Sequence, residues 1–305
     1  MRDIWILGSY NVDLVVAVDT FPRPGETMYG TSFNTFLGGK GGNQAMALAK
    51  LGANPHVAGC VGSDDFGRRY RREFERLSAD TRELHEIPDT PTGTAVIEVA
   101  RGGENHIVIV PGANGRVTPD LARSVVAKIP RGALLLLQHE IPLEAVHAAI
   151  TQAHKSGVVV ILDPAPAAQI PADILSAIDW LTPNETEAAT ILGLKELDSY
   201  EEAGIQLRAA GAKNVILKAG VRGAYLVSAD YPEGHHVPGF PVTAVDTTAA
   251  GDSFNGGFAW ALASGQIPED AVRTANAVAA ISVTGMGAQT AMPNFSQLSA
   301  FLLAK

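Results

Sequence analysis

From Leu121 onward the chain alternates short, uninterrupted apolar runs with helical patterns. Ala133 to Leu137 and Val158 to Leu162 contain no polar side chain, so a strand built from either has no face to offer water. Val215 to Lys218 and Ala224 to Val227 read as further strands. Leu121 to Lys128, Leu143 to His154, Glu185 to Leu192, Glu201 to Ala210, Ser253 to Ala263 and Glu269 to Val283 carry helical spacing. Strands buried on both faces and separated by helices predict an α/β fold: a mostly parallel central sheet with helices on both faces.

The first third of the chain departs from that rhythm. Ile4 to Leu7 is a short buried strand ending at Gly8, and Ala45 to Leu51 suits a helix stopped by Gly52. Val12 to Val18, Met28 to Phe36, Thr94 to Val99 and His106 to Val110 are strand-like, the last two joined by a turn at Arg101 to Glu104. Together they predict a small β layer, from insertions at about 12–37 and 91–111, within one domain spanning 1–305. Nothing between them resembles a linker, and no internal repeat is visible.

Composition removes several function classes. A net charge of -9 speaks against nucleic-acid binding, which needs a basic surface. Arg68 to Arg72 looks basic, but Glu73 and Glu75 follow, as on a solvated helix face. Cys60 is the only cysteine, so neither an intrachain disulfide nor a multi-thiolate zinc site is possible, which suits a cytoplasmic protein. No signal-peptide pattern opens the chain, and its apolar runs fall short of the ~20 residues of a membrane helix.

Two small-residue segments point to chemistry. Gly38-Gly39-Lys40-Gly41-Gly42-Asn43 places four glycines in five positions just ahead of a helix. Such a backbone approaches a ligand closely, and the free N–H groups of the helix start, with Lys40 and Asn43, offer donors to oxygen atoms. The segment fits neither the Walker A loop nor the G-x-G-x-x-G dinucleotide fingerprint, which removes the main argument for a nicotinamide-dependent dehydrogenase. Asp246 to Gly257 leads small residues into a long apolar helix, where N–H groups converge on an anion hole and the dipole favours negative charge. Taken alone, Asp252 reads first as an N-cap. It also reads as an ionised carboxylate able to accept a proton from a hydroxyl attacking phosphorus.

A third segment is weaker. Asn184 after Thr182-Pro183 suits a helix N-cap followed by acidic residues, or a phosphate contact with Glu187 acting on a hydrated Mg²⁺. Asn11, Asp13 and Glu140 follow predicted strands, where open α/β sheets place their ligand crevice. Each suits a turn; together they would line the crevice with hydroxyl-binding groups.

Gly38 to Ala45 and Asp246 to Gly256 resemble the two signature regions of the ribokinase-like carbohydrate kinases. Pro22 to Thr27, Asp163 to Pro166, Thr182 to Glu187 and Val237 to Phe240 are similar to that family in the same order, so the likeness covers essentially the whole chain. It implies a β-sheet lid beside the α/β body, a homodimer formed through that lid, and ATP-dependent phosphorylation of a pentose at a primary hydroxyl, with D-ribose O5 the foremost candidate. Asp252 would be the catalytic base, and Ala249, Ala250 and Gly251 the anion hole. Asn11, Asp13, Gly39, Lys40, Asn43 and Glu140 would bind the sugar. Asn184, Lys218, Gly220, Gly223 and Gly251 would bind nucleotide, with Asn276 near the base and Glu187 acting through Mg²⁺. Asp246, Thr248, Ser282, Gly285, Gly287 and Ala291 would form a site for an activating K⁺. Gly42 stands where Ala is common, Lys218 where Thr is found, and Ala291 where Ser offers a hydroxyl. Other acceptors, such as deoxyribose, fructose or a nucleoside, stay open, as does a sugar sensor that kept the fold without the catalysis.

Overall fold

The computed structural model describes residues 1–305. In chain order the strands are β1 (Ile4–Leu7), β2 (Asn11–Val18), β3 (Ser32–Gly38), β4 (His56–Gly62), β5 (Asp80–Ile87), β6 (Gly93–Ala100), β7 (Asn105–Val110), β8 (Leu134–Gln138), β9 (Val159–Asp163), β10 (Trp180–Leu181), β11 (Asn214–Lys218), β12 (Gly223–Val227) and β13 (His235–Pro238). The helices are α1 (Lys40–Lys50), α2 (Asp65–Arg76), α3 (Pro119–Val126), α4 (Leu143–Ser156), α5 (Ala172–Leu175), α6 (Glu185–Leu192), α7 (Tyr200–Ala209), α8 (Ala250–Ala263), α9 (Pro268–Ser282) and α10 (Phe295–Leu303).

Nine strands form the main sheet in the order β13-β12-β11-β10-β9-β8-β1-β4-β5. From β5 to β11 every pairing is parallel, and β12 and β13 add an antiparallel edge. The pleat divides the side chains between two cores. Ile4, Ile6, Leu134 and Leu136 pack with α1, α8 and α9, while Trp5, Leu7, Leu135 and Leu137 pack with α3 and α4. The order reverses at β1, which has β4 on one side and β8 on the other. At such a switch point the strand ends leave an open crevice. The segment after β1 and the ends of β8, β9 and β11 supply Asn11, Glu140, Asp163 and Lys218.

A second sheet, in the order β3-β2-β6-β7, stands apart from the first. β2 pairs β6 in parallel, and the two outer pairings are antiparallel. The β6–β7 hairpin closes over Arg101 to Glu104. β3 begins at Ser32 rather than Met28, because only from there does the chain pair with β2.

Six elements escape the periodicity reading: β4, β5, α10 and the short β10, β13 and α5, which at two to four residues are too brief to show a period. β4 is interrupted by Gly59 and opens on His56, so it lacks an apolar run. β5 alternates charged and buried residues along the sheet edge. α10 closes the chain with one buried residue, Leu298, and so has almost no apolar stripe. In α2, Tyr70 and Phe74 turn inward while Arg68, Arg69 and Arg72 are exposed, as a solvated helix face requires. No helix is long and apolar enough to cross a membrane.

Candidate active site

The glycine run is the first turn of a helix rather than a loop before one. α1 starts at Lys40, with Gly39 as its N-cap at φ 76°, a backbone that side-chain-bearing residues avoid. A Cβ on Gly41 would sit 2.7 Å from the Ser9 nitrogen, so the helix start lies directly on the segment after β1. Glu140 fastens this junction: one carboxylate oxygen accepts from the Ser9 hydroxyl at 2.6 Å and from the Lys40 N–H at 2.9 Å. Glu140 is therefore a cap for α1 as well as a candidate sugar ligand.

Asn11 is buried, and its side-chain oxygen accepts from Asn114 Nδ2 at 2.7 Å. Asp13 lies against Gly38, whose Cβ would meet its carboxylate at 2.3 Å. Burial, then the nearby charges of Glu140 and Asp252, push the Asp13 carboxyl up to about 7. Lys40 answers this cluster. Burial works against its charge, but Asp252, Asp163, Glu140 and Glu187 outweigh that and hold its pKa above the usual value.

Asp252 is buried at 4% exposure and is not the N-cap of α8. Ala249 holds that position in the left-handed region at φ 59°, and Asp252 is the third residue of the helix. The capping reading fails because the chain turns into the helix three residues earlier. Asn43 Nδ2 donates to Asp252 Oδ2 at 2.9 Å, and Gln44 Nε2 approaches Oδ1 at 3.3 Å. Burial pushes the Asp252 carboxyl up to about 6, against the lowering pull of Lys40. A carboxyl at about 6 stays mostly ionised at neutral pH, and burial is what lifts it above the ordinary carboxylate range.

No backbone oxygen takes the N–H groups of Ala249, Gly251 and Asp252, whereas Ala250 N–H points back to Thr247 O at 3.2 Å. The anion hole therefore has donors at 249, 251 and 252, with 250 already engaged. Lys218 Nζ stands beside it, 3.5 Å from where a Gly251 Cβ would be. It also reaches Asp163 Oδ1 at 2.7 Å and Glu187 Oε2 at 3.9 Å.

Asn184 and Glu187 form a reciprocal capping box at the start of α6: Glu187 N–H donates to Asn184 Oδ1, and Asn184 N–H donates to Glu187 Oε2 at 2.7 Å. Asn184 Nδ2 donates to Glu187 Oε1 at 2.8 Å, so the amide is turned inward. The capping reading of this segment is realised. Burial, opposed by Lys218, raises the Glu187 carboxyl above its ordinary value.

A cavity of about 560 Å³ runs from Lys218, Gly220, Gly223 and Gly251 to an apolar end at Phe240 and Val283. Asn276 lines it, but its amide donates to Val237 O and Pro238 O at 3.0 and 3.2 Å. It holds β13 in place, and only its remaining oxygen is open to a ligand. Elsewhere Asp246 bridges two loops, accepting from Thr248 N–H and Gly287 N–H at 2.9 Å each. Ser282 donates to Ala279 O, Ala291 N–H donates to Gly287 O, and Gly285 packs on Ala291. No group of three or more His, Cys, Asp or Glu is arranged to hold a metal. Any cation between these loops would have the single carboxylate of Asp246 together with carbonyl and hydroxyl oxygens.

Residues 1–294 match the model of the pfkB family of carbohydrate kinases. The chain belongs to that family. This carbohydrate kinase is 39% identical to the ribokinase of Haemophilus influenzae over 99% of its own length and 98% of that protein. It is similar to the crystal structure of Thermotoga maritima ribokinase, with a TM-score of 0.89, 40% identity, and 99% and 100% of the two chains covered. Arabidopsis thaliana ribokinase complexed with ribose and ATP is similar at a TM-score of 0.89 and 30% identity, covering 99% of this chain and 98% of that one.

Sequence reasoning gave no role to Ser9 or Asp163, and it missed four amides of this kinase's crevice. Gln44 links Asp252 to Asp163, and Gln138 donates to Gln44 at 2.7 Å. Asn114 orients Asn11, and Gln289 donates to Asn43 at 3.0 Å. Each is buried. The only trace in the sequence is an amide inside or next to an otherwise apolar or small-residue run, as Gln138 is beside Leu134 to Leu137.

Proposed function

We propose that this carbohydrate kinase transfers the γ-phosphoryl group of ATP to O5 of D-ribose, with Asp252 as the base. The observation that carries the reading is the position of Asp252. It is a buried carboxylate in the first turn of α8, next to unpaired N–H groups at Ala249, Gly251 and Asp252, and bonded to Asn43 of the glycine segment. A proton acceptor and an anion site therefore share one helix end, facing the sugar-type groups Asn11, Asp13, Gly39, Lys40, Asn43 and Glu140. The relatives named ribokinase, and the one solved with ribose and ATP, support ribose and ATP as the substrate pair.

The attacking hydroxyl loses its proton to Asp252 as its oxygen approaches phosphorus in line with the leaving ADP. The free N–H groups of α8 stabilise charge on the transferring phosphoryl oxygens, which grows between ground and transition state. Lys218 adds a cation beside Gly251, and Lys40 balances the carboxylates around the sugar. The triphosphate lies between the 218–223 segment and α8, with the base toward Asn276 and Phe240. Mg²⁺ would be held through water by Glu187, with Asp163 the neighbouring carboxylate, and would neutralise charge on the phosphates. K⁺ would be held by Asp246 with oxygens of Thr248, Ser282, Gly285, Gly287 and Ala291, the last from its backbone because its side chain offers none, and would stiffen the α8 start.

The β3-β2-β6-β7 sheet is the lid. It carries Asn11 and Asp13 on β2, so closing it brings sugar ligands and excludes water together. Its exposed apolar residues on β7 support dimerisation through the lid. Cys60, a buried free thiol, suits a cytoplasmic location.

The test is ADP release from Mg-ATP with a panel of ribose, deoxyribose, fructose and nucleosides, in K⁺ and in Na⁺. Ribose should give the highest kcat/KM, and Asp252→Ala should lose about 10³-fold or more in turnover. Near wild-type turnover in Asp252→Ala ends the base assignment. Ribose binding with no ADP release points instead to a sensor.

A further inference from the structure

The segment after α9 runs beside α1 and grips it at both ends. In the last turn of α1, Lys50 Nζ donates to three backbone oxygens: Gln289 O at 2.6 Å, Thr290 O at 3.1 Å and Met292 O at 3.1 Å. An ammonium group has three donors, and here all of them end on one four-residue stretch. In the first turn of α1, the Gln289 side chain donates from Nε2 to Asn43 Oδ1 at 3.0 Å. The amide of Asn43 then presents Nδ2 to Asp252 Oδ2 at 2.9 Å. Gln289 is buried at 8% exposure and Asn43 at 7%, so water does not compete at either contact.

We infer that Gln289, held in place by Lys50, is a positioning residue for Asp252: it fixes which end of the Asn43 amide faces the base. A buried Asn beside a carboxylate has two orientations, one presenting NH₂ and one presenting oxygen. The donor on Gln289 takes the Asn43 oxygen and leaves its NH₂ for Asp252. Were Gln289 an acceptor, the same amide would turn its NH₂ away and bring its oxygen against the carboxylate. The bond to Asp252 stabilises the charged form of the base, so its loss makes a neighbourhood already holding Asp163, Glu140 and Asp13 less tolerant of that charge. Lys50 acts one step further back, because three charge-assisted bonds fix the backbone that carries Gln289.

The inference rests on Asp252 being the base, and the variants separate the two claims. Gln289→Glu keeps size and shape but replaces the donor with acceptor oxygens and adds a buried charge, so the neutral Gln289→Met is run beside it to separate loss of the donor from added charge. Expected for Gln289→Glu is a fall in kcat of about ten-fold or more, the size of one lost charge-assisted hydrogen bond, with KM for ATP within about two-fold of wild type. Gln289→Met, of similar length and without a donor, should fall by less. Once Asn43→Ala is present, Gln289→Met should cost nothing further, because the amide it orients is gone. Lys50→Met should lower kcat, and Lys50→Arg, which keeps the donors, should restore most of it. Wild-type kcat in Gln289→Glu, or multiplying effects in the double variant with Asn43→Ala, overturns the inference while leaving the base assignment intact if Asp252→Asn is inactive. An active Asp252→Asn overturns the base assignment itself. Thermal midpoints measured alongside separate loss of fold from loss of rate.

Discussion

The Lys218 ammonium lies 2.7 Å from an Asp163 oxygen, and the two side chains are only 11% and 2% exposed. A buried pair tolerates the loss of one partner poorly, since the other charge stays out of water. Lys218→Met should therefore cost about 3–5 kcal/mol of stability. Adding Asp163→Asn should return most of it. KM for ATP should stay raised in both, because the cation beside Gly251 is missing in both. Urea unfolding and initial rates at varied ATP check the two halves. A double variant that recovers ATP binding as well as stability would show that Lys218 acts only through Asp163.

A base buried until its carboxyl rises to about 6 gives turnover an acid limb near that pH rather than near 4. The same burial affects stability. Asp252 and Asp13, raised to about 6 and about 7, bind protons more tightly folded than unfolded. Their contribution is full below the ordinary carboxylate value of about 4 and is lost as pH rises through 6 to 7. Asp252→Asn, though inactive, should therefore melt about 2–5 °C higher than wild type at pH 8, with the gap closing toward pH 4. A gap that is equal at both pH values, or opposite in sign, refutes this. Turnover against pH and calorimetric melting make the measurement.

The residues that escaped sequence reasoning share a physical cause. The parallel body was legible because Leu134 to Leu137 or Val159 to Leu162 cannot be exposed on either face, whereas Asp252 and the glycine run, which alone suit a cap and a packing turn, stood out only through their resemblance to the family's two signature regions. β4 and β5 were not, since Gly59 and the charges of an edge strand erase the apolar signal that burial normally leaves. Gln44, Gln138, Asn114 and Gln289 were not, because their meaning lies in partners far away in sequence: Gln289 meets Asn43 from 246 positions off. The helix start at Lys40 was misjudged for a local reason. Glycine lowers helix propensity, but here Gly41 and Gly42 are the only residues that fit beneath Ser9 and Tyr70.

That second contact yields a stability prediction. A Cβ on Gly42 would lie 2.6 Å from the Tyr70 hydroxyl oxygen. Tyr70 is fully buried, is bonded to Gly38 O, and packs edge-on against Tyr10 with ring centroids 5.6 Å apart, so it has nowhere to go. Gly42→Ala, a change toward the residue common in the family, should destabilise this chain by about 1–3 kcal/mol through overpacking. Tyr70→Phe in the same background should recover part of that loss by removing the clashing oxygen. Chemical denaturation of the two variants decides it, and a neutral Gly42→Ala would mean that the α2 face yields where the packing says it cannot.

The lid offers the last prediction. On β7, Ile107, Val108, Ile109 and Val110 are 47–63% exposed, an apolar edge strand of the kind that free monomers avoid. Register divides them: Ile109 pairs Ala95, which pairs Asp13, so Ile107 and Ile109 share the sugar-facing side, while Val108 and Val110 share the other side with Phe33 and Val96. A ligand in the crevice can cover the first side but not the second, and in the proposed dimer another copy of the chain would cover the second. Val108→Lys, a charge in the middle of that side, should shift the protein from dimer to monomer in sedimentation at micromolar concentration. Because the lid also carries Asn11 and Asp13, the monomer should show a raised KM for ribose and more ATP hydrolysis without sugar, as a lid that closes less firmly admits water. A wild-type chain that sediments as a monomer rules out the dimer, and a monomeric Val108→Lys with unchanged KM for ribose separates lid closure from dimerisation.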